Sequence, residues 1–102
     1  MKLIVCIVHS DDVEPLLEAL MRAQLRATRL STTGGFLREG NATILIGVEE
    51  AQVPAVLEVI KANTHARTVK APRRIPATPQ PKEVTLAAAT VFVLSLDGIQ
   101  RF

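Results

Sequence analysis

The chain has 102 residues, 48% of them hydrophobic and only 3% aromatic, with a formal net charge of +2. That length holds one core and one domain spanning 1–102, built mainly of Val, Leu, Ile and Ala, and the charge excess is too small for a binder of nucleic-acid polymers, which needs a dense basic stripe. A lone cysteine, Cys6, excludes an internal disulfide; no apolar stretch reaches the ~18–20 residues of a membrane span, and the first strand begins without a signal-peptide h-region, so a cytoplasmic protein is expected.

Leu3-Ile4-Val5-Cys6-Ile7-Val8 is a short continuous apolar run and reads as a central strand buried on both faces, with Cys6 as a buried strand thiol. His9-Ser10-Asp11-Asp12 breaks the run. Asp11 with Glu14 three residues on resembles a capping box, and both aspartates suit the positive end of a helix. Val13, Leu16, Leu17 and Leu20 follow at helical spacing, with Pro15 in the first turn and an end near Gln24. Arg26 to Thr32 reads as a second strand and Ala42 to Val48 as a third, with a turn over 32–42 between them. Glu49-Glu50 then precede a second amphipathic helix with Pro54 in its first turn and Val53, Val56, Leu57 and Ile60 on one face.

The two halves match. Val8, Val13, Leu16, Leu17 and Leu20 map onto Val48, Val53, Val56, Leu57 and Ile60 at a constant offset of forty positions. Arg26-Ala27-Thr28 has a faint echo in Ala66-Arg67-Thr68. Two βαβ halves joined by a tight connection describe an α+β, ferredoxin-like βαββαβ plan.

From about 64 to 82 the composition changes. Four of the six prolines (Pro72, Pro76, Pro79 and Pro81) stand here among Arg67, Lys70, Arg73 and Arg74. This reads as an extended basic surface loop with a short strand at its start, either functional or a connector. Val84 to Leu96 is the longest apolar run and reads as the last long strand, apolar on both faces. Two helices cover one face of a sheet only. The other needs a cover, and burial against copies of the chain is the simplest, at about 25 cal/mol per Å² of apolar area. A homo-oligomer follows.

The stretch from Arg26 to Thr43 carries the densest chemistry. Gly34-Gly35 admits φ > 0, and consecutive N–H groups in such a turn converge on an anion. Arg26, Arg29 and Arg38 can neutralise phosphate, Thr28, Thr33 and Asn41 can hydrogen-bond, and Phe36-Leu37 is a bulky apolar couple. Together these suit a nucleotide; an ordinary hairpin connection is the competing reading. Catalytic patterns are missing. His9 and His65 stand far apart in sequence without acids or cysteines at metal spacing, Cys6 lacks a nearby cationic partner, and Gly34, Gly35 and Gly40 fit neither the P-loop nor the dinucleotide spacing. A binder without cofactor or metal is expected, not an enzyme.

Arg-Ala-Thr-Arg-Leu-Ser-Thr-Thr-Gly-Gly-Phe-Leu-Arg-Glu-Gly-Asn-Ala-Thr (26–43) resembles the signature of the PII-like cyclic-di-AMP receptor family, bacterial signal-transduction proteins. The resemblance extends to Met1-Lys2-Leu3-Ile4-Val5, to Leu45-Ile46-Gly47-Val48-Glu49-Glu50 and to Ala89-Thr90-Val91-Phe92-Val93-Leu94. It covers nearly the whole chain apart from about 64–82. It implies a PII-like homotrimer that binds cyclic di-AMP in clefts between subunits and relays the signal through loop rearrangement to an unknown downstream protein. It further implies ligand contacts from Gln24, Arg26, Thr28, Gly35, Phe36, Leu37, Asn41 and Gly47, with Phe36-Leu37 lining the base pocket. The basic loop, unlike the family's more neutral one, offers Arg73 or Arg74 as a candidate phosphate clamp. The chain departs from the family at Gln24, where Asn is common, at Ala87-Ala88, which replace Gly-Gly and narrow a cleft, and at Arg101, which stands where an amide would contact a base. A PII-like regulator of ATP or ADP and a nucleotide-free protein-interaction trimer stay open beside the cyclic-di-AMP receptor.

Overall fold

The computed structural model describes residues 1–30, 40–70 and 83–102. In chain order it has β1 (Lys2–His9), α1 (Ser10–Arg22), β2 (Ala27–Leu30), β3 (Asn41–Val48), a 3₁₀ turn (Glu50–Gln52), α2 (Val53–Ala62), β4 (Arg67–Lys70), β5 (Glu83–Leu86) and β6 (Ala89–Ser95). Four strands form an antiparallel sheet in the order β2-β3-β1-β6, and β4 and β5 pair separately. The apolar run of β1 is central, with β3 on one side and β6 on the other. The arrangement is α+β and compatible with a ferredoxin-like plan.

Alternation sorts the strand residues. Ile4, Cys6 and Val8 of β1 lie opposite Ile46, Ile44 and Ala42 of β3, and all six are buried beneath the helices. Val13, Leu16 and Leu20 of α1 and Val56 and Ile60 of α2 complete this core. The internal match survives in the packing: Val8/Val48, Leu16/Val56 and Leu20/Ile60 bury both members. Leu57 stays exposed, bordering an open hollow with Ile60, Ala89 and Val91 at the β6 edge. Burial pushes the Cys6 thiol up to about 11, so it stays protonated at neutral pH and is no nucleophile.

The helix starts differ from expectation. The N-cap of α1 is His9, whose Nδ1 accepts from the Asp11 N–H at 3.1 Å. Because β1 runs straight into the helix, Asp11 already lies in the first turn and cannot cap it, and Pro15 falls inside the helix. A reciprocal capping box does form before α2. The Gln52 side chain accepts from the Glu49 N–H at 3.1 Å, and Glu49 caps the Gln52 N–H in return. Pro54 takes its place in the first turn of α2.

The last apolar run is divided. Residues from Glu83 to Leu86 pair with β4, and only Ala89 to Ser95 joins the main sheet, with Ala87-Ala88 between. The fourth strand of the ferredoxin-like plan is therefore β6. The segment after α2, expected as loop with a short strand, forms the β4 side of a separate ribbon. The echo of Arg26-Ala27-Thr28 in Ala66-Arg67-Thr68 thus has no counterpart in sheet position. The Gly34-Gly35 turn and the proline-rich stretch from Pro72 to Pro81 lie outside the described residues.

One buried ion pair ties this ribbon to the first turn of α1. Asp12, whose side chain is 4% exposed, accepts from Arg67 Nη1 on Oδ2 at 2.8 Å and from Nη2 on Oδ1 at 3.1 Å. The His65 backbone N–H donates to Oδ2 at 3.1 Å, and His65 Nδ1 lies 3.1 Å from Oδ1. Arg67 also donates to the His65 carbonyl. The Arg67 hydrogen bonds, and secondarily those of His65, hold the Asp12 carboxyl well below the usual carboxylate range, against the opposing cost of burial. A depressed folded-state value means that the stabilisation is complete above the ordinary aspartate pKa of about 3.9. It is lost as the pH falls below that value toward the folded one. Asp12→Asn should lower the thermal midpoint by about 5–10 °C at pH 7. The variant should also show a shallower loss of stability below about pH 4 than the wild type, measured by circular dichroism melts across pH.

Candidate ligand-binding cleft

The strand residues between those of the core point to the face that carries no helix. Register sets them in rows. Thr28 lies opposite Leu45, Leu45 opposite Val5, and Val5 opposite Phe92. Beside that row run Gly47, Leu3 and Leu94, and on its other side Leu30, Thr43, Ile7 and Thr90. Apolar side chains fill the middle of this face, and toward β6 they are open to solvent, Phe92 by 50% and Leu94 by 49%. At the β2 end the face turns polar, since Thr28 and Arg26 project there.

A cleft of about 520 Å³ opens at this polar end, a size in the usual range for small-molecule sites, about 300–1,000 Å³. Gln24, Arg26 and Thr28 form one wall, Leu45 and Gly47 the floor, and Leu96, Ile99 and Arg101 the opposite side, with Gln52 at the rim. Four residues that the sequence singled out, Gln24, Arg26, Thr28 and Gly47, are thus brought together. Neither Gln52 nor the tail residues Leu96 and Ile99 carried any signal of spacing, because only the fold returns the tail to β3.

The wall begins at the end of α1. Gln24 N–H donates to the Met21 carbonyl at 2.9 Å and Leu25 N–H to the Leu20 carbonyl at 2.9 Å. This is the Schellman pattern, with Leu25 packed on the core beside the same turn. It requires a left-handed residue, and Gln24 takes it at φ 61°. Gly or Asn fits that conformation with less strain than Gln. The helix terminator therefore also aims the amide that borders the cleft.

Gly47 lies beneath the tail. A Cβ there would stand 3.4 Å from Ile99 Cδ1, so the tail packs directly over the bare backbone. Leu96 N–H, bonded to the Met1 carbonyl at 3.1 Å, holds the start of the same tail.

Asn41 lies elsewhere. It pairs with His9 at the opposite end of β3 from Gly47, about 20 Å away at the rise of a strand. There it borders a second hollow of about 210 Å³ with His9, Arg67, Thr90 and the Ala87-Ala88 pair. The two alanines line this hollow, whereas Arg101 lines the larger cleft. Gly35, Phe36, Leu37, Arg73 and Arg74 lie outside the described residues. Among the described residues no three His, Cys, Asp or Glu side chains gather as a metal site, and no helix is long and apolar enough to cross a membrane.

The packing of Ile99 on Gly47 is testable. Gly47→Ala should leave the tail in place, because the methyl meets only the tip of a flexible side chain at van der Waals distance. Gly47→Val should displace it, seen as a shifted Ile99 methyl resonance and faster exchange of the Leu96 N–H.

Comparisons with known proteins identify the fold and the family. The crystal structure of a functionally unknown protein from Pediococcus pentosaceus ATCC 25745 superimposes with a TM-score of 0.72 at 44% sequence identity, covering 99% of this chain and 96% of that one. The family model for the cyclic-di-AMP receptor matches residues 1–102. On that match the chain belongs to the cyclic-di-AMP receptor family.

Proposed function

We propose that the protein is a cytoplasmic signalling receptor that binds cyclic di-AMP as a homotrimer, the ligand lying in clefts between subunits. The observation that carries this reading is the cleft in which Gln24, Arg26, Thr28 and Gly47 meet on the uncovered, otherwise apolar sheet face. Arg26 is the phosphate contact, Thr28 and Gln24 supply hydrogen bonds to ribose or base, and the open backbone at Gly47 admits the tail beside them. Asn41 stands at the far end of the same strand, so it shares a ligand with these residues only across a subunit boundary. A heterologous interface around a threefold axis brings one end of a sheet to the other end of its neighbour. In this reading Gly35, Phe36 and Leu37 close the base pocket, Arg73 or Arg74 clamps a phosphate, and loop rearrangement passes the signal to a downstream protein.

Assembly follows from the exposed row. Phe92 and Leu94, with Val5 and Leu3 beside them, form a contiguous apolar face, the kind that marks association. Light scattering after size exclusion should return three times the 11.1 kDa chain mass, and Phe92→Asp should shift it to monomer. A wild-type monomer at micromolar concentration overturns the trimer.

Binding is read by calorimetry. Wild type should bind cyclic di-AMP, and Arg26→Gln should weaken it by roughly ten- to 150-fold, the effect of losing one charge-assisted hydrogen bond of about 1.5–3 kcal/mol. Tighter binding of ATP or ADP than of cyclic di-AMP would assign the site to a different nucleotide. Absence of nucleotide binding leaves a protein-interaction trimer.

A further inference from the structure

Arg67 spends its charge on Asp12. Arg26 and Arg101 do not: among the described residues neither pairs with a carboxylate, and both line one cleft whose lining includes no Asp or Glu. The tail explains how Arg101 gets there. Ser95 pairs with Lys2, whose Nζ donates to the Ser95 hydroxyl at 3.0 Å. Leu96 is then held by the Met1 carbonyl, and Ile99 packs over Gly47. The chain thus crosses from β6 over the start of β1 to the end of β3. The next strand in the sheet is β2, and Arg26 immediately precedes it. Two residues beyond Ile99, Arg101 lines the same cleft from the side opposite the wall of Arg26.

Two arginines that line one cleft without a carboxylate repel each other weakly in water. An anion between them turns both interactions favourable, and a planar guanidinium suits a phosphate through two parallel hydrogen bonds. We propose that Arg101 binds a phosphate of the ligand. With Arg26 it forms a two-guanidinium phosphate site, so that a single chain supplies two cations to one bound nucleotide and the affinity depends on the docked tail. This rests on the nucleotide-receptor reading above. It assigns Arg101 to the phosphate, which makes its contribution independent of the base.

The test uses the full chain with three probes: cyclic di-AMP, cyclic di-GMP and inorganic pyrophosphate. Arg101→Gln should keep the wild-type melting midpoint, since the side chain is exposed, while weakening cyclic di-AMP about tenfold or more. Arg101→Lys should recover part of the loss. The gap between wild type and Arg101→Gln should narrow as salt is raised, and any binding of cyclic di-GMP should fall by the same factor as that of cyclic di-AMP. Pyrophosphate should shift the side-chain Nε–H resonances of both Arg26 and Arg101 in the wild type, and the Arg26 shift should shrink in Arg101→Gln. Unchanged cyclic di-AMP affinity in Arg101→Gln overturns the proposal and leaves the receptor reading intact. A loss confined to one of the two cyclic dinucleotides overturns it too, by assigning Arg101 to a base. A wild type that binds pyrophosphate through both arginines but no cyclic dinucleotide keeps the anion site and removes the receptor reading. One that binds none of the three probes removes both.

Discussion

Two helices can cover only one face of a four-stranded sheet, and most features of this molecule follow from that constraint. Strand alternation sends Ile4, Cys6 and Val8 under the helices and Leu3, Val5 and Ile7 to the opposite side. Because β1 is central and flanked by apolar strands, the uncovered side is apolar as well, with Phe92 and Leu94 extending it toward the β6 edge. A contiguous apolar face of this kind marks a surface for interaction. The same face turns polar at its β2 end, where Arg26 and Thr28 border the cleft. The apolar face and the polar cleft therefore share one surface of the sheet.

The Asp12–Arg67 pair solves a different problem. The chain leaves the main sheet after α2, makes the β4–β5 ribbon and returns as β6, so the ribbon has few strand partners to orient it. A bidentate ion pair at its base, with both Asp12 oxygens accepting, fixes where the excursion starts relative to α1. Burial of the carboxylate makes this costly unless every lone pair is used. The His65 N–H and ring supply the remaining contacts. The guanidinium so committed also borders the hollow with Asn41, which links the geometry of the ribbon to one end of the sheet.

At the other end the C-terminal tail acts as a wall. Its hold is modest: a backbone hydrogen bond at Leu96, a side-chain bond between Lys2 and Ser95, and the contact of Ile99 with Gly47. Gln24 lies across from it in a left-handed conformation imposed by the end of α1. One side of the cleft is thus fixed by helix termination, whereas the other is a short segment whose position depends on a few contacts.

Local patterns in the sequence determined the elements and most of their order. Apolar runs marked β1 and β3, the offset of forty positions exposed the repeated half, and the spacing of Leu16, Leu20, Val56 and Ile60 named the helical core. The grouping of Gln24, Arg26 and Thr28 was legible because these residues are neighbours in the chain. Tertiary structure alone decided what depends on distant segments meeting. Asp12 looked like a helix-dipole residue, since nothing local connects it to Arg67, fifty-five positions on. The run from Val84 to Leu96 looked like one strand, because hydropathy does not reveal which sheet a segment pairs with. Within one chain a strand holds Asn41 and Gly47 about 20 Å apart, a separation that their chemistry alone does not disclose. Arg101 entered the cleft only because register places the tail over Gly47. Side-chain periodicity is a property of a few consecutive residues, whereas pairing partners and buried charges are chosen by the whole packed chain.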